Sequence, residues 1–190
     1  REFIFDTLSR SNATLLGEAD INHHFKLAYW TNERDRVTYQ ADKVHTLSYY
    51  SKGGEGSRRL DVDRGFGAPN SVSMLPLFHY SDWEITKQFY FAHLYFSDAS
   101  IRQFAHMTLD IEPRTIEVPE MLFENDQQLV GLVNQLFSAD SKLSPLTAEQ
   151  SIQEVFAYLL TSPNFSRKRH IKLTGGLSPS ALKKAREYIQ

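Results

Sequence analysis

The 190-residue chain contains no cysteine, so neither disulfide bridges nor thiolate metal ligands can contribute to its fold or chemistry. It also lacks any run approaching the ~18 apolar residues that a membrane-spanning helix needs, and residues 1–20 do not have the make-up of a signal peptide. A soluble, cytoplasmic protein without a membrane partner is the expectation. No Gly-x-Ser-x-Gly elbow and no glycine-rich phosphate loop occurs. Gly65-Phe66-Gly67 lacks a third glycine and a following helix, and reads as a turn. There is no His-x-His pair either, and His23-His24 are adjacent, which on a strand would point them to opposite faces. Neither catalysis nor a metal site nor any other cofactor is therefore expected.

Aromatics, by contrast, are plentiful: 13 Phe, 9 Tyr and 2 Trp, a bias that favours strands and aromatic-lined pockets. The net charge of −2 conceals an asymmetry. Seven basic residues and one acid lie from residue 164 onward, a net of +6, while residues 1–163 carry −8. An acidic body is a poor partner for a phosphate backbone, whereas a basic tail can adjoin something that binds one.

Residues from about 23 to 96 read as β structure, with short strands punctuated by Gly and Pro as in an antiparallel barrel or sandwich. Leu47-Ser48-Tyr49-Tyr50 runs into the break Ser51–Gly56, and Gly65–Asn70 precedes Ser71–Pro76. The best strand is Gln88–Phe96. Two edge strands are expected around Tyr29-Trp30 and Val37–Tyr39. Ser97 or Asp98 can cap a short helix over Ala99–His106, and Pro113 and Pro119 bound an irregular stretch.

Residues 120–162 then read as two helices. Leu129, Leu132, Val133, Leu136 and Phe137 form one apolar stripe, and Ile152, Val155, Phe156, Leu159 and Leu160 form another. The second helix opens at Ser144-Pro145 or at Thr147, and Pro163 ends it. A short loop between them predicts an antiparallel pair, whose remaining apolar surface must meet either the β domain or another copy of the chain. After a basic stretch, Ser178 caps and Pro179 opens a further helical pattern with Leu182, Ala185 and Ile189. The chain opens on Arg1 rather than Met and stops at Gln190 about three turns into that pattern. A fragment of a longer protein is expected.

Leu173–Ile189, with its Gly175-Gly176-Leu177-Ser178-Pro179 core, resembles the junction of AraC-family transcription regulators that leads into the first helix of a tandem helix-turn-helix domain. His45–Tyr49 with Gly53-Gly54, Ser71–Pro76 and Phe91–Ser97 resemble segments of that family's N-terminal cupin-like domain. The correspondence runs over roughly residues 44–190 and is loose before that. It implies an α+β protein: an antiparallel β-barrel of the cupin or double-stranded β-helix type over 1–118, a helical dimerisation element over 119–163, a basic linker over 164–177, and the truncated start of a helix-turn-helix domain over 178–190.

The same resemblance implies a bacterial regulator whose barrel senses a small-molecule effector, whose helices form a homodimer, and whose absent C-terminal half binds DNA. Candidate effector contacts are Tyr49, Phe66, His79, Trp83, Phe91, His93 and Tyr95, with Arg58, Arg59 or Arg64 available to a carboxylate. Candidate dimer contacts are Leu132, Leu136, Ile152, Phe156 and Leu159. On Phe89–Phe96, the odd-numbered and even-numbered side chains occupy opposite faces, and which of them lines the interior stays open. Two alternatives stand beside this: a small cupin-type metal-dependent enzyme, such as an isomerase or dioxygenase, and a ligand-independent dimer scaffold of the same regulator.

Overall fold

The computed structural model describes residues 4–40, 43–138, 144–163 and 165. A short helix α1 (Ile4–Ser9) leads into β1 (Thr14–Asn22), β2 (Phe25–Asn32), β3 (Asp35–Gln40), β4 (His45–Lys52), β5 (Ser57–Arg59), β6 (Ser71–Leu75), β7 (Tyr80–Ile85) and β8 (Phe89–Phe96). Then come α2 (Asp98–Leu109), a single 3-10 turn, β9 (Met121–Glu124), α3 (Gln127–Ser138) and α4 (Pro145–Thr161). The basic linker and the helix-turn-helix start expected after residue 165 lie outside the described residues.

Two antiparallel sheets result. One has six strands in the order β1-β2-β8-β4-β6-β9, and the other three in the order β3-β7-β5. They face each other without closing, so the expected barrel is an open sandwich. The outermost strands β1 and β9 pair on one side each and carry no ladder to the smaller sheet. Among the two strands expected at edges, β3 is one, but β2 lies inside the large sheet between β1 and β8. The long strand β1, exposed over most of its length, shows no apolar alternation and gave no strand signal. Nor did β9, whose four residues are too few to show a period and which fall within the stretch where two helices are expected.

β8 sits near the middle of the large sheet and is buried on both faces. Its even-numbered residues Ala92, Leu94 and Phe96 join Leu27, Leu47, Val72 and Met74 under a helical layer. Its odd-numbered residues Phe89, Phe91 and Tyr95 join Trp30, Tyr50, Leu75, Trp83 and Ile85 between the sheets. The molecule thus has three layers: small sheet, large sheet, helices. The apolar stripes of α3 and α4 close the outer interface. Phe156 meets Phe96, Phe25 and Phe104 at ring-centroid distances of 4.9, 5.8 and 5.9 Å, and Phe137 stacks parallel to Tyr49.

Local signals set the helix boundaries. Ser97 accepts a hydrogen bond from the Ser100 amide at the start of α2, and Ser144 accepts one from Thr147 with Pro145 in the first turn of α4. Asp126 accepts from the Gln128 and Leu129 amides, capping α3. The Tyr158 hydroxyl, late in α4, donates to Asp126 at 2.7 Å, so the end of α4 is tied to the beginning of α3, as an antiparallel pair requires.

The turn glycines serve close approach as well as conformation. A Cβ at Gly67 would stand 2.5 Å from the Tyr50 ring, and one at Gly54 2.6 Å from the same ring. Tyr50 is buried and its hydroxyl is held by Ser57 Oγ at 2.8 Å, so the ring has nowhere to go. Gly67→Ala is expected to cost about 1–3 kcal/mol through overpacking, measurable as a fall in the urea midpoint.

Candidate functional site

The concave interior between the sheets is the best candidate site. Ser48 and Tyr50 of β4, Ser73 and Leu75 of β6, and Phe89, Phe91 and His93 of β8 form one wall, while Tyr39 of β3 and Trp83 of β7 form the other. The antiparallel registers explain the grouping: Tyr50 lies opposite Phe91, and Ser48 opposite His93, so each pair shares a face. The rings pack on one another, with Phe89 stacked on Phe91 at 4.6 Å and Tyr50 4.8 Å from Phe89. The space they leave has room for at most about one water molecule.

Among the described residues, no charged side chain lines this interior. His93 is the one ionisable imidazole there, held by the Tyr95 hydroxyl at Nδ1 (2.9 Å) and by Ser48 Oγ at Nε2 (3.1 Å). Burial pushes its pKa down to about 3, because charging it would require desolvating a cation with no counter-charge. At neutral pH the imidazole is therefore uncharged. Burial likewise raises the phenols of Tyr39, Tyr50 and Tyr95. The interior offers ring faces, hydroxyls and one neutral imidazole.

At its rim lies an ionic cluster. The buried Arg59 guanidinium is hydrogen-bonded to both Asp61 and Glu120, and Arg59 foremost holds the Asp61 carboxyl below its usual range. His79 faces Glu120 through Nδ1 at 3.4 Å and Ser81 Oγ through Nε2 at 2.7 Å. Trp83 Nε1 donates to the same Ser81 oxygen at 2.7 Å. Since the indole can only donate, Ser81 is free to donate onward to His79 Nε2, which leaves the His79 proton on Nδ1 toward Glu120. The cluster is thus wired to Trp83, a wall of the interior.

Of the seven effector candidates, Trp83, Phe91 and His93 line the interior, Tyr95 lies next along the same face, and His79 reaches it only through Ser81. Tyr49 and Phe66 are elsewhere. The Tyr49 ring points into the helical layer, its hydroxyl directed at Asn70 and Asn134. Phe66 is half exposed beneath the Arg58 guanidinium. The first is a matter of parity on β4, since Tyr50 and not Tyr49 shares a face with Phe91; the second sits on a surface loop. Nor do the arginines reach inside: Arg58 pairs with Glu84 and Arg59 with Asp61 and Glu120, while Arg64 is exposed. Tyr39, Ser48, Tyr50, Ser73, Leu75 and Phe89 were missed. Only the strand registers, which set the parity of each face, would have found them.

The five candidate dimer contacts belong to the helical layer. Leu136, Ile152, Phe156 and Leu159 are buried within one chain against the large sheet, and Leu132 packs partly buried beside them. Among the described residues, no three His, Asp or Glu side chains gather as metal ligands, and His23 and His24 occupy the β1–β2 turn. No helix among these residues is long and apolar enough to cross a membrane.

No family model matches the chain, and no curated protein matches it. Among solved structures it is similar to the AraC-like transcriptional activator CuxR, at 8% identity and a TM-score of 0.53, over 95% of this chain and 64% of that one. This chain therefore spans slightly less than two-thirds of the activator's length. It is also similar, at lower TM-scores, to a cupin-2 domain protein from Rhodospirillum rubrum (11% identity, 44% of this chain and 57% of that one, TM-score 0.36). A cupin domain from Bordetella pertussis shares 10% identity over 46% of this chain and 93% of that one, with a TM-score of 0.35. The correspondence with the activator is one of fold, and it takes in the helices as well as the sheets.

Proposed function

We propose that this chain is the effector-sensing module of an AraC-type transcription regulator, with a regulatory rather than an enzymatic role. The observation that carries the reading is the correspondence in fold with an AraC-like activator over 95% of the chain. The Leu173–Ile189 stretch supports it from the sequence side. In this reading the effector binds between the sheets, and the DNA-reading helices follow the junction.

The lining narrows the effector's chemistry. A charged ligand would be stripped of water with no opposite charge to meet it, whereas an uncharged, flat, ring-bearing compound with one or two hydrogen-bonding groups suits rings, serines and a neutral imidazole. With Arg58, Arg59 and Arg64 outside the lining, a carboxylate-bearing effector is not expected there. Homodimerisation remains part of the proposal. Its contacts fall to the outer faces of α3 and α4, because the stripes facing the sheet are occupied.

Thermal unfolding across a library of neutral ring compounds tests this. An effector at 100 times its Kd stabilises by roughly 2.7 kcal/mol, a rise of about 5–10 °C for a domain of this size; charged analogues are expected to give none. The filled interior also favours a second reading, the ligand-independent scaffold. A flat response across the library from a protein that is dimeric in solution would select it.

A further inference from the structure

β9 is the outermost strand of the large sheet, next to β6 and so beside the interior. It pairs with β6 only at Val72–Glu124 and Met74–Met121, with a bulge between, whereas β4 and β8 are joined by a long ladder. Within that bulge Phe123 has a φ of +53°, a left-handed conformation that a bulky side chain rarely adopts without strain. Its amide donates to the Ser73 hydroxyl at 3.0 Å. Its ring lies 5.7 Å from Tyr50 and 5.9 Å from Trp83, two walls of the cavity, while remaining partly open to solvent. Phe123 is thus a partition between the interior and water.

The ends of the strand are fastened differently. Glu120, immediately before β9, is bonded to Arg59 and faces His79, yet its side chain is 43% exposed, so water can replace those partners. On the other side, Glu124 is followed closely by Asp126, the cap of α3.

We infer that β9 is a strap across the mouth of the interior, with Phe123 as its removable stopper and Glu120 as its releasable catch. Swinging the strap out breaks the bonds of Glu120, relieves the backbone at Phe123, and frees a ring-sized space between Tyr50 and Trp83. The effector's ring then takes the place of the chain's own. Because β9 runs directly into α3, the movement reaches the helical layer. This rests on the interior being the effector site, which the proposed function assigns.

Hydrogen exchange on the intact protein, read by mass spectrometry, tests the strap without any ligand. Amides 121–124 are expected to exchange by local opening, roughly a hundredfold faster than those of β4 and β8. Glu120→Gln should speed β9 by a further factor of about ten, leave β4 and β8 unchanged, and raise acrylamide quenching of Trp83 in a Trp30→Phe background. Exchange of β9 as slow as that of β8 in the wild-type protein overturns the strap, and this needs no variant to fold. Equal acceleration of every strand by Glu120→Gln overturns it too.

Phenol and indole, added as ring probes, separate this inference from the reading beneath it. Binding that leaves β9 exchange unchanged overturns the strap and leaves the effector site standing. Local opening of β9 without binding of these probes or of any compound in the library upholds the strap and overturns the effector site.

Discussion

Phe156→Ala is expected to lower the stability of the protein by about 3–5 kcal/mol, and by the same amount at every protein concentration. Phe156 is fully buried between α4, α2 and the large sheet, in contact with three phenylalanine rings. Truncation therefore removes both transferred area and packing partners from the interior of one chain. A residue holding two subunits together behaves otherwise, because the stability it supports depends on concentration by mass action. Urea unfolding at two concentrations a hundredfold apart, with sedimentation to record the oligomer, decides between them. A variant that stays folded as a dissociated monomer, with unchanged unfolding, would mean that Phe156 serves an interface after all.

The second large effect concerns acid. The unfolded chain binds a proton at histidine near pH 6.5, whereas folded His93 does so only at about pH 3. Between those values the unfolded state carries the extra proton, so folding stability falls as pH drops, with a slope approaching about 1.4 kcal/mol per pH unit for this one group. The loss begins just below pH 6.5 and is complete near pH 3. Burial also lowers the pKa of His45 and His79, which adds to the slope in the same direction. His93→Gln keeps a hydrogen-bonding side chain between Ser48 and Tyr95 but cannot titrate. Its stability at pH 7 is expected to be lower and its acid limb shallower by close to one proton between pH 6.5 and 4, read from urea midpoints at fixed salt. An unchanged slope would place the titrating group elsewhere.

Much of the architecture was legible where one residue type acts locally. Ser97 before a helix, Ser144-Pro145 at the start of another, and the apolar stripes of α3 and α4 each reflect a short-range rule, and each element stands where its signal lies. What a stripe packs against is not local: Ile152, Phe156 and Leu159 lie over the large sheet, a partner that helical period alone does not specify. The site was legible on β8, whose odd-numbered face carries Phe91, His93 and Tyr95, and at Trp83 of β7. On β4 the choice between Tyr49 and Tyr50 depends on register, and a slip of one residue moves a side chain to the other face. Phe123 could not have been found at all: a positive φ at phenylalanine leaves no mark in the sequence.

The two faces of β8 have a mechanical consequence. Phe91 and His93 touch whatever lies between the sheets, while Leu94 and Phe96, on the same few residues of backbone, bear on Phe156 and the helices. A strand only one peptide thick has no give between its sides. A displacement of β8 from within is therefore expected to bear on Phe156 and the helical roof as well.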